Sequence, residues 1–489
     1  VTQRFGRVWA PLLLLTSVEL MVFLDTTVVN VALPSIGHGL GLGESGLAWV
    51  VGAYQLTFGG FQLVGGRAAD LLGRRRLFLA GVLVFTAASL AAGLAPSAAV
   101  LLAARAAQGV GAALVVPAEI SLLAVTFPDS RDYARAFGVW SAMGAAGAAA
   151  GTALGGILTQ GLGWPSIFLI NLPIGAAAVA LTRRLLPADA AGVGGRHPWR
   201  RLDLPGAALG TGGLVLVVYA ITASAGRGLD VATMTTCALG LLLLAGFSWH
   251  ETHAVRPLMP LRLYRVRNVT GSTLVNFLVG AAHVPAFVLL ALYLQHVAGY
   301  SPMTSGFAVL PVAVVNMAVA RTVLPAALAR FGARVVLTGG MVLLAIGLGG
   351  LARVPVHGSY LLDVLPAGLV FGVGLPAAFA GVTIPAVTSV AEVDTGITAG
   401  IVQTAQRVGA ALGATAATAL AAAWTAGHTG PPLQTYTGGL RVAFAAAAGT
   451  AALGAVLAAT IIRSPGTPRV EHDNHDASFD EQAPSRQER

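Results

Sequence analysis

The chain has 489 residues, of which 56% are hydrophobic and only 10% are charged, with a mean hydropathy of +0.77. Soluble domains carry roughly 25% charged residues, so this composition excludes an aqueous fold and divides the length by membrane spans instead of by soluble domains. The net charge of +9 comes from arginine alone, with no lysine anywhere, which excludes a Walker A phosphate loop, a kinase-type nucleotide lysine and a pyridoxal Schiff base.

Apolar runs between polar breaks predict fourteen transmembrane helices, at 10–33, 46–65, 77–95, 98–118, 136–159, 165–182, 204–223, 231–249, 269–293, 304–326, 335–352, 361–384, 397–424 and 440–462. The first run follows Arg4 and Arg7 but contains Glu19 and Asp25, and it is too long for the apolar core of a secretory signal. Glycine and alanine recur throughout, as expected where helices pack closely in lipid. A lone cysteine, Cys237, excludes a disulfide framework within the chain.

An even number of spans puts both termini on one side. All arginines fall in segments on that side except Arg227, Arg353 and Arg441 on the other, and Arg105 and Arg407 within spans. The positive-inside rule makes that side cytoplasmic. The expectation is a multi-pass protein of the inner (plasma) membrane with cytoplasmic N- and C-termini, and its charge needs no nucleic acid.

Ionisable groups at membrane depth point to function; here they are Glu19, Asp25, Arg105, Glu119, His283 and Arg407. At ~1.5 Å per residue, Asp25 lies about 12 Å from the outer end of the first span and Arg105 about 10 Å from that of the fourth, so depth permits a pair. Six residues separate Glu19 from Asp25, about 120° around the helix. Thr16, Glu19, Phe23, Thr26 and Asn30 share one face, which reads as a cavity wall, while Asp25 looks towards a neighbouring helix. Gln55, Phe58 and Gln62 form a second candidate wall, and Asn276, His283 and Phe287 a third.

Two other patterns are decoys. "GVGLPA" at 372–377 fits a loose dinucleotide signature but sits inside an apolar span with no strand before it. "HETH" at 250–253 spaces its histidines three apart, not the four of a zinc helix, at a membrane boundary. There is no G-x-S-x-G elbow.

Five stretches, in order, carry a family resemblance: "LDTTVVNVALP" (Leu24 to Pro34), "GRAADLLGRRRLF" (Gly66 to Phe78), "LAARAAQGVGAA" (102–113), "GAAAGTALGG" (Gly147 to Gly156) and "WPSIFLINLPIG" (Trp164 to Gly175). Together they resemble the fourteen-span drug:proton antiporter branch of the major facilitator superfamily over nearly the whole chain. The second departs from the family's loop signature at Ala68 and Leu71, and the fourth has Thr152 where the antiporter motif has proline. A degraded echo of the loop signature, "ARFGARVVL", stands at 329–337.

The resemblance implies an all-α membrane fold of fourteen transmembrane helices, arranged as two six-helix bundles with two inserted helices. The implied divisions are an N-terminal bundle over 1–183, a cytoplasmic linker over 184–203, the inserted helices over 204–250, a second linker over 251–268, a C-terminal bundle over 269–462 and a disordered cytoplasmic tail over 463–489. It implies export of a drug- or antibiotic-like amphiphile in exchange for protons by alternating access, with an uptake permease on the same fold as the alternative. Asp25 and Arg105 are then the proton-coupling pair. Glu19, Phe23, Thr26, Asn30, Gln55, Gln62, Asn276 and His283 line the substrate cavity, and Gly66, Asp70, Gly73, Arg74, Gly147, Gly151, Gly155 and Gly156 form the conformational switch. No enzymatic activity, metal or cofactor beyond the proton gradient is expected; the partners are a small-molecule substrate, protons and the lipid bilayer, around a monomer.

Overall fold

A computed structural model describes residues 2–189, 203–227, 230–254, 257–391 and 394–463. Parts of both expected linkers, at 190–202 and 255–256, and the expected tail from 464 onward lie outside the described residues. In lipid each unpaired backbone group costs several kcal/mol, so an apolar chain must close its hydrogen bonds within each segment. Among the described residues every regular element is helical.

The first half runs through α1 (Thr2–Leu40), α2 (Glu44–Leu72), α3 (Arg74–Gly93), α4 (Ala98–Thr126), α5 (Ser130–Leu162), a short α6 (Ser166–Leu169) and α7 (Asn171–Leu185). Two helices follow, α8 (Leu204–Arg227) and α9 (Val231–His253). The second half comprises α10 (Arg267–Leu292), α11 (Pro302–Leu351), α12 (Leu365–Val387), α13 (Thr395–Gly427) and α14 (Pro432–Ile461). Starts carry the expected chemistry: the Asp230 side chain accepts from the Thr233 N–H at 2.7 Å ahead of α9, and Ser301 accepts from Thr304 at 3.2 Å just before Pro302 opens α11.

The count differs from the fourteen expected. Among the described residues thirteen helices have 15 or more residues, and 12 stretches are long and apolar enough to cross a membrane. The expected spans at 304–326 and 335–352 are joined in the 50-residue α11, broken at Gly332, where φ is 76°. The expected fifth span lies in α5, several of whose side chains are outside the described residues, and is not among the 12.

Gly332 has a counterpart. Gly73, between α2 and α3, has φ 99°, a conformation that a Cβ disfavours. Helix packing repeats about these two turns: α1 packs on α5, α2 and α3 on α4, and α3 on α7; in the second half α10 packs on α13, and α11 on both α12 and α14. The helices α8 and α9 pair with one another, and α8 rests on α2 and α13.

The two halves meet along α2 and α13 and, at the end remote from the chain termini, through α1, α5, α10 and α11. There Gln295 donates to the Val31 carbonyl at 2.7 Å, and Met303 N donates to Gln160 Oε1 at 3.2 Å. One continuous apolar core joins α1, α2 and α6 to α10–α14 at that end, whereas the core around Leu15, Phe78 and Leu122 contains no residue of the second half.

The glycines expected to let helices approach do so along one track. A Cβ on Gly147, Gly151 or Gly155 of α5 would lie 2.6, 2.8 and 2.8 Å from the carbonyl oxygens of Leu20, Leu24 and Val28 on α1. The spacing of four on both helices keeps the contact in register over two turns. Gly156 turns instead to the second half, where a Cβ would lie 2.6 Å from the Pro302 carbonyl. Gly151→Ala is therefore expected to destabilise the detergent-solubilised protein by about 1–3 kcal/mol through overpacking, read as a lowered thermal midpoint. Gly138→Ala, with open space within 4 Å, is the control that does not lower the midpoint, because alanine favours the helix over glycine.

Candidate functional site

Three polar clusters occupy membrane depth. The first centres on Asp25 of α1, whose side chain has no exposure, 0%. Arg105 Nη1 donates to its Oδ2 at 2.6 Å, while Gln108 Nε2 and Asn171 Nδ2 donate to its Oδ1 at 3.0 and 2.9 Å. Ser89 Oγ accepts from Gln108 at 2.8 Å and from Asn171 at 3.3 Å. Arg105 also donates from Nε to the Val50 carbonyl at 3.0 Å and from Nη1 to Gln108 Oε1 at 2.9 Å. Its guanidinium lies 4.5 Å from the centre of the Tyr54 ring and 5.8 Å from that of Phe168. A buried ion pair survives only when its remaining donors and acceptors are satisfied; this one draws on α1, α2, α3, α4 and α7.

The expected partnership of Asp25 with Arg105 is thus in place. Gln108 and Asn171 stand inside the fourth- and sixth-span motif stretches, where the sequence assigns them no role, and Ser89 carries no sequence signal. Only the folded chain shows that α4 and α7 each send an amide donor to one carboxylate and that Ser89 of α3 braces both amides.

The second cluster joins Glu19 of α1 to Glu119 of α4, 2% and 0% exposed. The two carboxyl groups are close enough to interact electrostatically, and Trp140 of α5 donates to Glu119 Oε2 at 3.1 Å. Phe23 stands beside Glu19 against Gly144, whose Cβ would meet Glu19 Oε1 at 3.2 Å and the Phe23 ring at 3.3 Å. Thr26 bonds back to the Val22 carbonyl at 3.0 Å, and the side-chain oxygen of buried Asn30 has no protein partner.

The third cluster is built on Arg407 of α13. It donates from Nε to Gln62 Oε1 at 3.2 Å and from Nη1 to Gln55 Oε1 at 3.3 Å, and its guanidinium carbon lies 3.4 Å from the centre of the Phe58 ring. The expected wall of Gln55, Phe58 and Gln62 is therefore a cradle for a cation from the other half. Arg407 carried only its presence in a span as a signal; its side-chain direction depends on how α2 meets α13.

Two expected cavity residues behave differently. Asn276, 1% exposed, donates to the Val402 carbonyl at 2.8 Å and so ties α10 to α13 instead of lining a cavity. His283 pairs its Nδ1 with the Val279 carbonyl at 2.9 Å and stands edge-on to Phe379 with ring centres 5.2 Å apart.

The expected switch loop is ordered by a residue expected only in a linker. Asp189 accepts from the backbone N–H groups of Arg75 and Arg76 at 2.9 and 3.3 Å, which caps the positive end of α3. A Cβ on Gly73 would strike the Asp189 carboxyl at 2.5 Å, while Gly66 has room, with Pro117 3.9 Å from its Cβ position. Arg74 opens α3. The side chain of Asp70 lies outside the described residues.

An all-helical chain whose packing order repeats, with charged groups buried among its apolar helices, defines a multi-span membrane transporter. The chain belongs to the Major Facilitator Superfamily, whose family model matches residues 15–414. It is 39% identical over 474 residues to the puromycin resistance protein pur8 of Streptomyces alboniger, covering 94% of this chain and 92% of that one. It is 35% identical to the cephamycin export protein CmcT of Amycolatopsis lactamdurans, over 84% of this chain and 85% of that one. Its fold is similar to that of a bacterial homologue of the human lysosomal transporter Spinster solved in an inward-facing, unoccupied conformation, with a TM-score of 0.65 at 17% identity, covering 94% of this chain and 99% of that structure.

Removing one partner of a buried pair leaves the other charge uncompensated. Arg105→Leu is expected to destabilise the solubilised protein by about 3–5 kcal/mol, and adding Asp25→Asn should recover most of that loss. Denaturant midpoints of the two single variants and the double variant measure the difference.

Proposed function

We propose that the chain exports an antibiotic-like amphiphile from the cytoplasm in exchange for protons. The observation that carries this reading is the Asp25–Arg105 network: a carboxylate wholly withdrawn from solvent, held by one cation and two amides from two other spans, α4 and α7. Resistance and export functions in the names of two relatives spanning most of the chain support the direction of transport.

In this reading both termini and the arginine-rich segments face the cytoplasm, in the inner (plasma) membrane. Counting α5 and each half of α11 as separate spans makes fourteen. Residues 1–183 and 269–462 act as two bundles rocking about the clusters at Glu19 and Arg407, with α8 and α9 inserted between them, and the transporter works as a monomer with no cofactor.

Protonation of Asp25 from outside removes the charge that holds Arg105. Arg105 keeps the Val50 carbonyl and Gln108, whereas Asp25 loses its only ionic partner, and α1 is freed to shift against α4 and α7. The α5 glycine track on α1 supplies a surface without side chains for that shift. Closure at the end remote from the termini gives a state open towards the cytoplasm, and the Asp189 cap on α3 orders the loop that latches it.

Asp25→Asn is expected to abolish proton-driven export while the protein still inserts and folds. Everted vesicles with an imposed pH gradient and puromycin as the probe measure it. Full proton-coupled accumulation by the variant would remove Asp25 from the mechanism, and accumulation under the opposite gradient alone would mark an uptake permease.

A further inference from the structure

A cavity of about 250 Å³ lies at the seam where the two halves meet, in the part of the molecule nearer the chain termini. Gly60 of α2 forms its wall from the first half, Phe277 of α10 and Thr404 of α13 form its wall from the second, and Thr211 of α8 and Phe247 of α9 close it from the inserted pair. It shares no residue with the clusters at Asp25, Glu19 or Arg407, and no acidic or basic side chain lines it.

Directional bonds hold this space open. A Cβ on Gly60 would lie 2.1 Å from Thr211 Oγ1, so glycine there lets α8 seat against α2. The segment between α9 and α10, which adds Leu258, Met259 and Tyr264 to the lining, is pinned at three places. Arg67 of α2 donates to the Pro257 carbonyl at 3.1 Å, Met259 N donates to Glu251 Oε2 of α9 at 2.9 Å, and Arg262 grips both oxygens of Asp394, just ahead of α13, at 2.7 and 3.0 Å. The segment cannot collapse into the cavity without breaking these bonds.

Two hydroxyls in the lining are unpaired. Thr211 is 8% exposed, and neither its Oγ1 nor that of Thr404 has a hydrogen-bond partner in the protein. Elsewhere on the same helices threonine bonds back to the carbonyl four residues earlier, Thr222 to Val218 on α8 at 2.9 Å and Thr418 to Ala414 on α13 at 2.9 Å. A buried hydroxyl without a partner is costly, and these two stand on helices that pack together around one cavity. An occupant with one group that both donates and accepts would satisfy them, whereas a charged one would find no counterion. At roughly 30 Å³ per non-hydrogen atom, the share of a water molecule in the liquid, the volume holds about eight or nine such atoms.

We propose that this cavity is a ligand site separate from the three polar clusters, and that it takes an uncharged alkyl chain of that size ending in one hydroxyl, which bonds Thr211 and Thr404. Such a ligand touches α2 on one side and α10 and α13 on the other, so both halves and the inserted pair grip it at once. Its chemistry depends neither on the direction of transport nor on protons.

The test photolabels the full-length protein in phospholipid nanodiscs with an octanol that carries a diazirine on its chain, and maps the adducts by mass spectrometry. Saturable adducts are expected at Phe247, Tyr264 or Thr404 and should disappear under excess 1-octanol, while adducts at exposed Leu242 on α9 stay unsaturated. At equal membrane concentration 1-fluorooctane, which has no donor, should compete about three- to tenfold less well, and that preference should vanish in a Thr211→Val, Thr404→Val double variant. Ala405→Phe and Leu214→Trp fill the space from α13 and α8, and each should abolish the saturable adducts while those at Leu242 persist. Labelling that never saturates, that survives in both filled variants, or that shows no preference for the alcohol in the wild type would overturn the proposal. So would saturable labelling that appears only after lipid removal, since a phospholipid chain would then be the occupant. None of these readouts uses transport, so failure of the exporter reading would appear in the vesicle assay alone.

Discussion

The structure depends on burying one ion pair. Asp25 and Arg105 are 0% and 1% exposed, and two such charges bear a large desolvation penalty that their mutual attraction offsets only if every remaining lone pair and N–H is engaged. That demand pulls Gln108, Asn171, Ser89 and the Val50 carbonyl onto one point. It sets how α1, α2, α3, α4 and α7 pack, because each must bring a polar group to the same depth. A buried pair is a poor source of stability compared with apolar packing, so its place at the junction of five helices is tolerated only because the neighbouring donors and acceptors offset its desolvation.

Around that junction the rest of the molecule is built from close backbone contact. Without a hydrophobic drive between helices in lipid, association relies on packing and on small residues. The register of Gly147, Gly151 and Gly155 on Leu20, Leu24 and Val28 places α5 on the same helix that carries Glu19 and Asp25. Any movement of α5 along α1 is therefore felt at Glu19 through Gly144 and at Glu119 through Trp140. The repeated glycine turns at Gly73 and Gly332 and the repeated packing order show two halves of one plan, but the halves are not electrically alike. Among the described residues the carboxylates at depth belong to α1 and α4, while the second half contributes Arg407, reaching across to Gln55, Phe58 and Gln62 on α2.

How much was legible in the sequence varied with how local each property is. The helical class, the membrane setting and the family followed from composition, apolar runs and ordered motifs, and the family match over residues 15–414 agrees with them. The shared depth of Asp25 and Arg105 was legible because a helix has a fixed rise per residue, so position along the chain translates into position across the membrane. The span count did not follow so directly. The polar break at Arg330 and Arg334 marks two spans in the sequence, and the helical hydrogen bonding carries past it except for the turn at Gly332.

The sequence by itself determined which groups lie at membrane depth, which face of α1 carries Glu19 and which carries Asp25, and where glycines recur every four residues. These properties belong to a single helix. Tertiary structure alone decided the partners: that Asn276 bonds the Val402 backbone, that Arg407 rests on Phe58, that Asp189 caps α3 and that Trp140 bonds Glu119. Partnership between helices depends on their rotation and crossing, which are set by the summed packing of many small contacts, and no local pattern encodes that sum.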